Sequence, residues 1–272
     1  MRSRPLVLLV DDDIDTREMY AWCLESRGFS VLSAGSAAAG LTLAADHHPD
    51  VVITDFTLPG EDGFVLAGRI RAHAAIGDTP MLLVSGRAFV ADSGERAVRL
   101  FDRLLLKPVL PDQLIAEMVP LMLDRTSARL QRQLTDVRAR VRHVPYTSDV
   151  GRILTAVTEV APNGDAPAAL LADTAAQYIA VNDAACTLTG RSREELLSLH
   201  VWDLTPDDAV AEGRLQWARF VESGALAGAY VLRTANGNVP ARFAASAHVL
   251  PDCHLSLIQS LPPALADGDV RA

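Results

Sequence analysis

Lysine is almost missing from this 272-residue chain. Of its 25 basic residues 24 are arginine, and Lys107 in "LLLKPVL" stands alone. A compact, strongly hydrated ammonium therefore survives at one position in a chain that uses planar guanidinium forks everywhere else. Cysteine is scarce as well: Cys23, Cys186 and Cys253 are odd in number, far apart and in no CxxC pair. That pattern excludes a disulfide framework and reads as reduced core thiols of a cytoplasmic protein. The apolar run near the start reaches only from Pro5 to Val10 before meeting acids, too short for a signal-peptide core. No stretch approaches the ~20 apolar residues of a membrane span, so no membrane insertion is expected. The net charge of −9 argues against a general nucleic-acid or anionic-membrane binder. No GxGxxG follows a strand and no GxxxxGK[ST] exists, which leaves dinucleotide and P-loop chemistry without support.

What is present is an ordinary globular composition, 49% apolar and 22% charged, long enough for one large domain or two small ones. Its charge is uneven. Residues 121–145 carry two acids and six arginines, whereas the flanks on both sides are acidic. That switch marks a linker.

The first half repeats short aliphatic runs: "LVLLV" (6–10), "FSVLSA" (29–34), "DVVIT" (50–54), "MLLVS" (81–85) and "RLLL" (103–106). Each is apolar on both faces, as strands of a parallel sheet covered on both sides would be. Helical segments alternate with them, the last opening at Pro111-Asp112. Five βα units in about 120 residues predict a doubly wound α/β domain, whose function would sit beyond the carboxyl ends of the strands.

Those ends carry Asp11 and Asp12 after the first strand and Asp55 at the third. Ser85 ends the fourth, and Lys107 follows the fifth. Singly, each is an ordinary turn former or helix cap. Together they place three carboxylates, a hydroxyl and an ammonium at one sheet edge. Clustered carboxylates repel one another unless a cation neutralises them, and Mg²⁺ suits carboxylates plus a phosphate. The hydroxyl and ammonium suit the other oxygens of a transferring phosphoryl group, and an aspartate can itself be the nucleophile, forming an acyl phosphate.

Over residues 5–119 the chain resembles the receiver domain of two-component response regulators, with a flavodoxin-like fold. The resemblance is carried by "LLVDDD" (8–13), "DFTLPGEDG" (55–63), "TPMLLVSG" (79–86) and "LLLKP" (104–108). It implies that Asp55 accepts a phosphoryl group from a histidine kinase or phosphotransfer protein. Mg²⁺ would be held by Asp11, Asp12, Asp55 and the Thr57 carbonyl. Ser85 would bond the phosphoryl group, Lys107 would pair with Asp55 and then with its phosphate, and Pro108 would follow a cis peptide. It also implies a signalling protein rather than an enzyme, with Thr57 and Arg87 tuning the phosphoryl lifetime. Two positions depart from the pattern. Leu104 stands where many receivers carry an aromatic switch residue, and Leu100-Phe101 replaces a small pair. Haloacid-dehalogenase-like phosphatases also use Asp, Ser/Thr and Lys, but their nucleophile lies in a DxD motif, where this chain reads "DFT".

In the linker, Pro120 is expected to kink or break the fifth helix. Beyond it Leu123, Ser127, Leu130, Leu134, Val137, Val141 and Val144 follow a heptad spacing. This predicts either an amphipathic helix packing on its own domain or, preferred here, a short parallel coiled coil at a homodimer axis.

The second half is β-rich. "ALLAD" and "QYIAVN" form a hairpin, short helices follow, and "AVAEGRLQWARFVESG" is a longer helix with Leu215, Phe220 and Val221 on its apolar side. Two strands then meet at Asn236-Gly237, and "CHLSLIQSL" closes as the last strand. This α+β segment resembles a PAS domain from about 168 to 261, through "DTAAQYIAVNDAACTLTGRSREELL" and "VWDLTPDD", with Arg191 at a usually aromatic position. Such domains bind small molecules, dimerise or relay signals, and membership does not choose among these. Heme would need an axial ligand, but His200 precedes "VWDL", His248 and His254 flank strands, and none of the three lies on the long helix. Cys186 lacks a photoactive-flavin context, and Trp202 and Trp217 read as core.

The expected organisation is a receiver domain (1–120), a helical linker (121–145), a connecting segment (146–167), a PAS domain (168–261) and a tail (262–272). The expected function is that of a cytoplasmic response regulator signalling through the linker and PAS module by protein contact. The alternatives are a PAS-based small-molecule sensor, or a dimeric scaffold, whose receiver only modulates assembly.

Overall fold

A computed structural model describes residues 4–86, 91–141, 150–160 and 166–266. They form two compact units: one runs to Arg125 and includes the segment from Pro262, and the other is Thr126–Leu261.

In the first unit β1 (Leu6–Val10), β2 (Ser30–Ala34), β3 (Val51–Asp55), β4 (Met81–Ser85) and β5 (Arg103–Leu106) form a parallel sheet in the order β2-β1-β3-β4-β5. Each strand is followed by a helix: α1 (Ile14–Ser26), α2 (Ala37–His47), α3 (Gly63–Ala72), α4 (Ala91–Leu100) and α5 (Pro111–Val141). Local chemistry starts three of them. Asp13, Ser36 and Asp62 accept the backbone N–H three residues on, at 2.7, 3.3 and 2.9 Å. Leu8, Val52, Leu66, Ile70, Met81 and Leu83 are fully buried in one core, with Val10 beside them. β1, β3 and β4 are buried throughout, but β5 is not: Leu104 is 38% and Leu106 58% exposed. As the edge strand it has a neighbour on one side only, so its continuous apolar run does not make it a central strand.

The break expected at Pro120 is absent. α5 runs unbroken through it, because Met118, Val119, Leu121, Met122 and Leu123 are all buried and hold the turn that loses one hydrogen bond.

In the second unit β6 (Ala168–Asp173), β7 (Tyr178–Val181), β8 (Ala225–Thr234), β9 (Gly237–Leu250) and β10 (Cys253–Ser260) form an antiparallel sheet in the order β7-β6-β10-β9-β8. Between β7 and β8 lie α7 (Asp183–Thr189), α8 (Arg193–Leu197), two short 3-10 turns and α9 (Val210–Ser223). β8 and β9 are joined through Ala235-Asn236, one residue earlier than expected, with Gly237 at φ +118 opening β9. α9 buries Phe220, whereas Leu215 is 57% exposed. Five residues are about 140° apart around a helix, so the two cannot share a face.

The linker seam has a partner within the chain. Leu130, Leu134, Val137 and Val141 join one core with Ile153 and Val157 of a further helix, α6 (Val150–Glu159), and with Leu171, Leu255 and Leu257 of the sheet. Arg242 of β9 donates to the Ser127 hydroxyl at 2.7 Å. The amphipathic-helix reading therefore replaces the coiled coil for these positions, since apolar side chains already covered by a sheet offer nothing to a second helix. Val144 lies outside the described residues. Part of the expected connecting segment is α6 itself, whose buried face closes this core.

Candidate functional site

The topology brings the strand ends together. Asp55 is the last residue of the central strand β3, Asp11 follows β1 on one side, and Ser85 ends β4 on the other. Asp11, Asp55 and Ser85 are 4%, 7% and 1% exposed. Lys107, just after β5, reaches over them: its Nζ lies 2.9 Å from Asp55 Oδ1 and 3.0 Å from Asp11 Oδ2. The Lys107 backbone N–H donates to the Ser85 carbonyl at 2.7 Å, and Lys107-Pro108 is cis.

The remaining carboxylate oxygens meet backbone donors. Asp55 Oδ2 accepts the Thr57 N–H at 2.8 Å, and Asp11 Oδ1 accepts the Asp13 N–H at 2.9 Å. Arg17 Nη1 donates to the Asp11 carbonyl. Burial works against the charged form of Lys107, but its hydrogen bonds and charge attraction to Asp55 and Asp11 outweigh it and hold the amine above its ordinary pKa. The ammonium is thus fixed in its charged form between two carboxylates.

Gly63 explains the last residue of "DFTLPGEDG". Its N–H donates to the Phe56 carbonyl at 2.8 Å, and a Cβ at this position would lie 2.4 Å from the Asp55 carbonyl oxygen. Only glycine lets α3 start this close behind the strand end that carries Asp55. Gly60, at φ +78, turns the same loop.

Asp12 is exposed and stands apart from the buried group. Among the described residues no three carboxylate, imidazole or thiol groups converge closely enough to hold a metal ion. The donor chemistry still suits a hard dication: two buried carboxylates, one exposed carboxylate and a nearby main-chain carbonyl, all oxygen. Arg87 lies outside the described residues.

An aromatic group beside the site escaped the sequence reading. Phe56, next to Asp55, packs edge-on against Phe64 at 5.3 Å, and Phe64 meets Phe101 at 5.9 Å with the Arg96 guanidinium 5.0 Å from its ring. Phe101 belongs to the Leu100-Phe101 pair noted as a departure. Phe101 is buried against Phe64 of α3, while Leu104 is 38% exposed on the edge strand.

In the second unit the three histidines do not converge on a ligand site. His200 stacks on Trp202 at 5.1 Å, with Arg214 over the indole. His254 is 1% exposed among Trp217, Phe220 and His248, at 5.3, 5.8 and 4.9 Å between ring centres. Its Nδ1 accepts the His248 N–H at 3.2 Å, so the ring proton of the neutral form sits on Nε2, which has no hydrogen-bond partner among the described residues. A groove of about 830 Å³ lies between α6 and α7, lined in part by Leu154, Thr158, Val181, Leu188 and Ile258.

Buried Asp11, Asp55 and Ser85 beneath a half-buried Lys107, on the strand ends of a doubly wound sheet, define the first unit as a receiver domain. Residues 7–119 match the response regulator receiver domain family, and residues 162–254 match the PAS fold family, so the chain carries a receiver segment followed by a PAS segment. The chain is 29% identical over 112 residues to the phosphate regulon transcriptional regulatory protein PhoB of Pseudomonas aeruginosa, covering 41% of this chain and 49% of that one. It is 33% identical over 136 residues to the transcriptional regulatory protein GltR of the same organism, covering 48% and 52%. An uncharacterized 14.6 kDa protein of Leptolyngbya boryana is 34% identical over 109 residues, covering 40% and 83%. The chain thus spans about half the length of the two named regulators. Among solved structures, the chemotaxis response regulator CheY4 of Vibrio cholerae matches 43% of this chain and 98% of its own, with TM-score 0.41 and 25% identity. No helix of the described residues is long and apolar enough to cross a membrane.

Proposed function

We propose that this chain is a response regulator switched by phosphorylation of Asp55. One observation carries the reading: the Lys107 ammonium bridges Asp55 and Asp11, 2.9 and 3.0 Å away, at the carboxyl edge of the sheet. An Asp55 carboxylate oxygen attacks the phosphorus of a phosphohistidine on a kinase or phosphotransfer protein. The P–O bond forms as the P–N bond breaks, and the imidazole leaves with the electron pair. Asp11, Asp12, Asp55 and the Thr57 carbonyl would hold Mg²⁺, which supplies charge neutralisation to the transferring group. Lys107 and Ser85 would take the remaining phosphoryl oxygens. The chemistry is self-modification of Asp55 and its reversal, not turnover of a substrate. Output passes by protein contact through α5 and the PAS unit, in the cytoplasm.

The test is intact-mass measurement after incubation with acetyl phosphate and Mg²⁺, for wild type and Asp55→Asn. A gain of one phosphoryl group on wild type alone is expected. No gain on wild type ends the reading, and equal labelling of both proteins moves the site elsewhere.

A second reading, in which the PAS unit also senses a small molecule, is supported by the groove between α6 and α7, whose volume lies in the usual range for ligand sites. Native mass spectrometry of the purified chain tests it, a retained non-covalent adduct being the expected result.

A further inference from the structure

The two edges of the antiparallel sheet are treated differently. At one edge β7 has four residues, and its outer side is occupied: Gln177 bridges to His200, and the Tyr178 N–H donates to the Leu199 carbonyl at 3.0 Å. At the other edge β8 runs for ten residues, "ALAGAYVLRT", pairs with β9 without a register shift, and has no further strand beyond it in the sheet. Unpaired edge strands template pairing with another chain, and proteins usually block them with lysine, proline, a bulge or an inward charge. From Ala225 to Leu232 none of these is present.

The ladder fixes which groups face outward. Pro240 sits opposite Val231 and gives its carbonyl to Leu261 on the β10 side, while Gly224 accepts the Ala247 N–H. In the alternation of an antiparallel pair, Ala225, Ala227, Ala229, Val231 and Arg233 therefore turn their main-chain groups away from β9. The Ser223 hydroxyl donates to the Ala225 carbonyl at 3.2 Å, leaving Ala227, Ala229 and Val231 as the open stretch. Ala225, Ala227 and Ala229 are exposed and offer only methyl groups to whatever approaches.

We propose that β8 pairs with β8 of a second copy of this chain, antiparallel about a two-fold axis at Ala229, joining two five-stranded sheets into one. A two-fold contact requires a self-complementary surface, and this one is. Ala229 faces itself, and Ala227 faces Val231 of the other copy, giving about six main-chain bonds. Arg233, the only charge on the strand, is held by the Asp207 carboxylate and the Asp203 carbonyl of its own unit and falls opposite Ala225 of the other copy, outside the open stretch. The two arginines lie at opposite ends of the contact, each already paired with Asp207 of its own unit, so no unpaired charge is buried. The surface is independent of the Asp55 site, and it supplies a dimer contact in place of the seam that α6 and the sheet cover.

Sedimentation velocity of the full chain across a hundredfold concentration range tests this, with Ala229→Pro and Ala229→Val compared with wild type. Proline at 229 removes an outward N–H and leaves the β8–β9 ladder intact. Wild type and Ala229→Val are expected to dimerise, with the dissociation constant of Ala229→Pro raised at least tenfold. If circular dichroism shows that Ala229→Pro is unfolded, Ala227→Lys, a change at an exposed side chain, is expected to give the same weakening. A monomeric wild type, or a folded edge variant (Ala229→Pro, or Ala227→Lys in its place) that dimerises like wild type, overturns the proposal.

Discussion

Lys107 Nζ lies 2.9 Å from Asp55 Oδ1, with Asp11 on the other side of the same ammonium. The proposed phosphoacceptor is therefore already paired with the group that would receive its phosphate.

Removing that ammonium has two effects. Lys107→Met leaves two buried carboxylates facing each other. Breaking a buried pair costs about 3–5 kcal/mol, and partial exposure of Lys107 reduces the expected loss to ~1–3 kcal/mol. Because the folded amine titrates above its unfolded value, its stabilising contribution is complete below the unfolded pKa and disappears as pH rises through the folded one. Urea titrations at neutral pH and at pH well above the ordinary lysine pKa of 10.5 check both: the difference between wild type and Lys107→Met should shrink at the higher pH. Lys107→Arg should retain Mg²⁺ binding and lose the conformational response to phosphorylation.

Gly63→Ala forces backbone to move, since the added methyl meets the Asp55 carbonyl oxygen at 2.4 Å. A loss of about 1–3 kcal/mol is expected, as for overpacked cores, together with slower labelling of Asp55 by acetyl phosphate. Gly68→Ala, where an added methyl meets nothing within 4 Å, is the control and should leave labelling unchanged.

Leu130→Ala separates the two accounts of the linker. Leu130 is fully buried against its own unit, so truncation should cost about 2–5 kcal/mol. The loss should be the same at every protein concentration. A coiled-coil seam would instead give a loss that depends on concentration and a change in sedimentation.

Acid should loosen the second unit through His254. Burial and the neighbouring His248 hold its pKa below the ordinary 6.5, while Asp173 and Asp252 act in the opposite direction. The unfolded chain then binds the proton first, so stability falls as pH drops below about 6.5, until the folded ring also titrates. Thermal melts of wild type and His254→Phe between pH 5 and 7.5 check this; the variant should show the flatter pH dependence.

The site was legible because its chemistry is carried by residue type at strand ends. Asp11, Asp55, Ser85 and Lys107 need only the order of the βα units to be placed at one edge, and the structure brings all four there. Asp12 was legible as an acid but not as an exposed one, since sequence position does not fix which of two consecutive side chains turns inward. The seam at Leu130, Leu134, Val137 and Val141 shows the opposite limit. Its heptad spacing states that one helical face is apolar and is silent about what covers it, and the cover, α6, lay in a segment read as a connection. Phe101 was noticed only as a departure, because its packing on Phe64 joins parts of the chain that no local pattern links.

The isolation of Lys107 also gives the molecule a chemical address. With one lysine in the chain, acylation of a lysine side chain has a single destination, and an acyl group there would erase the positive charge that Asp55 and Asp11 share.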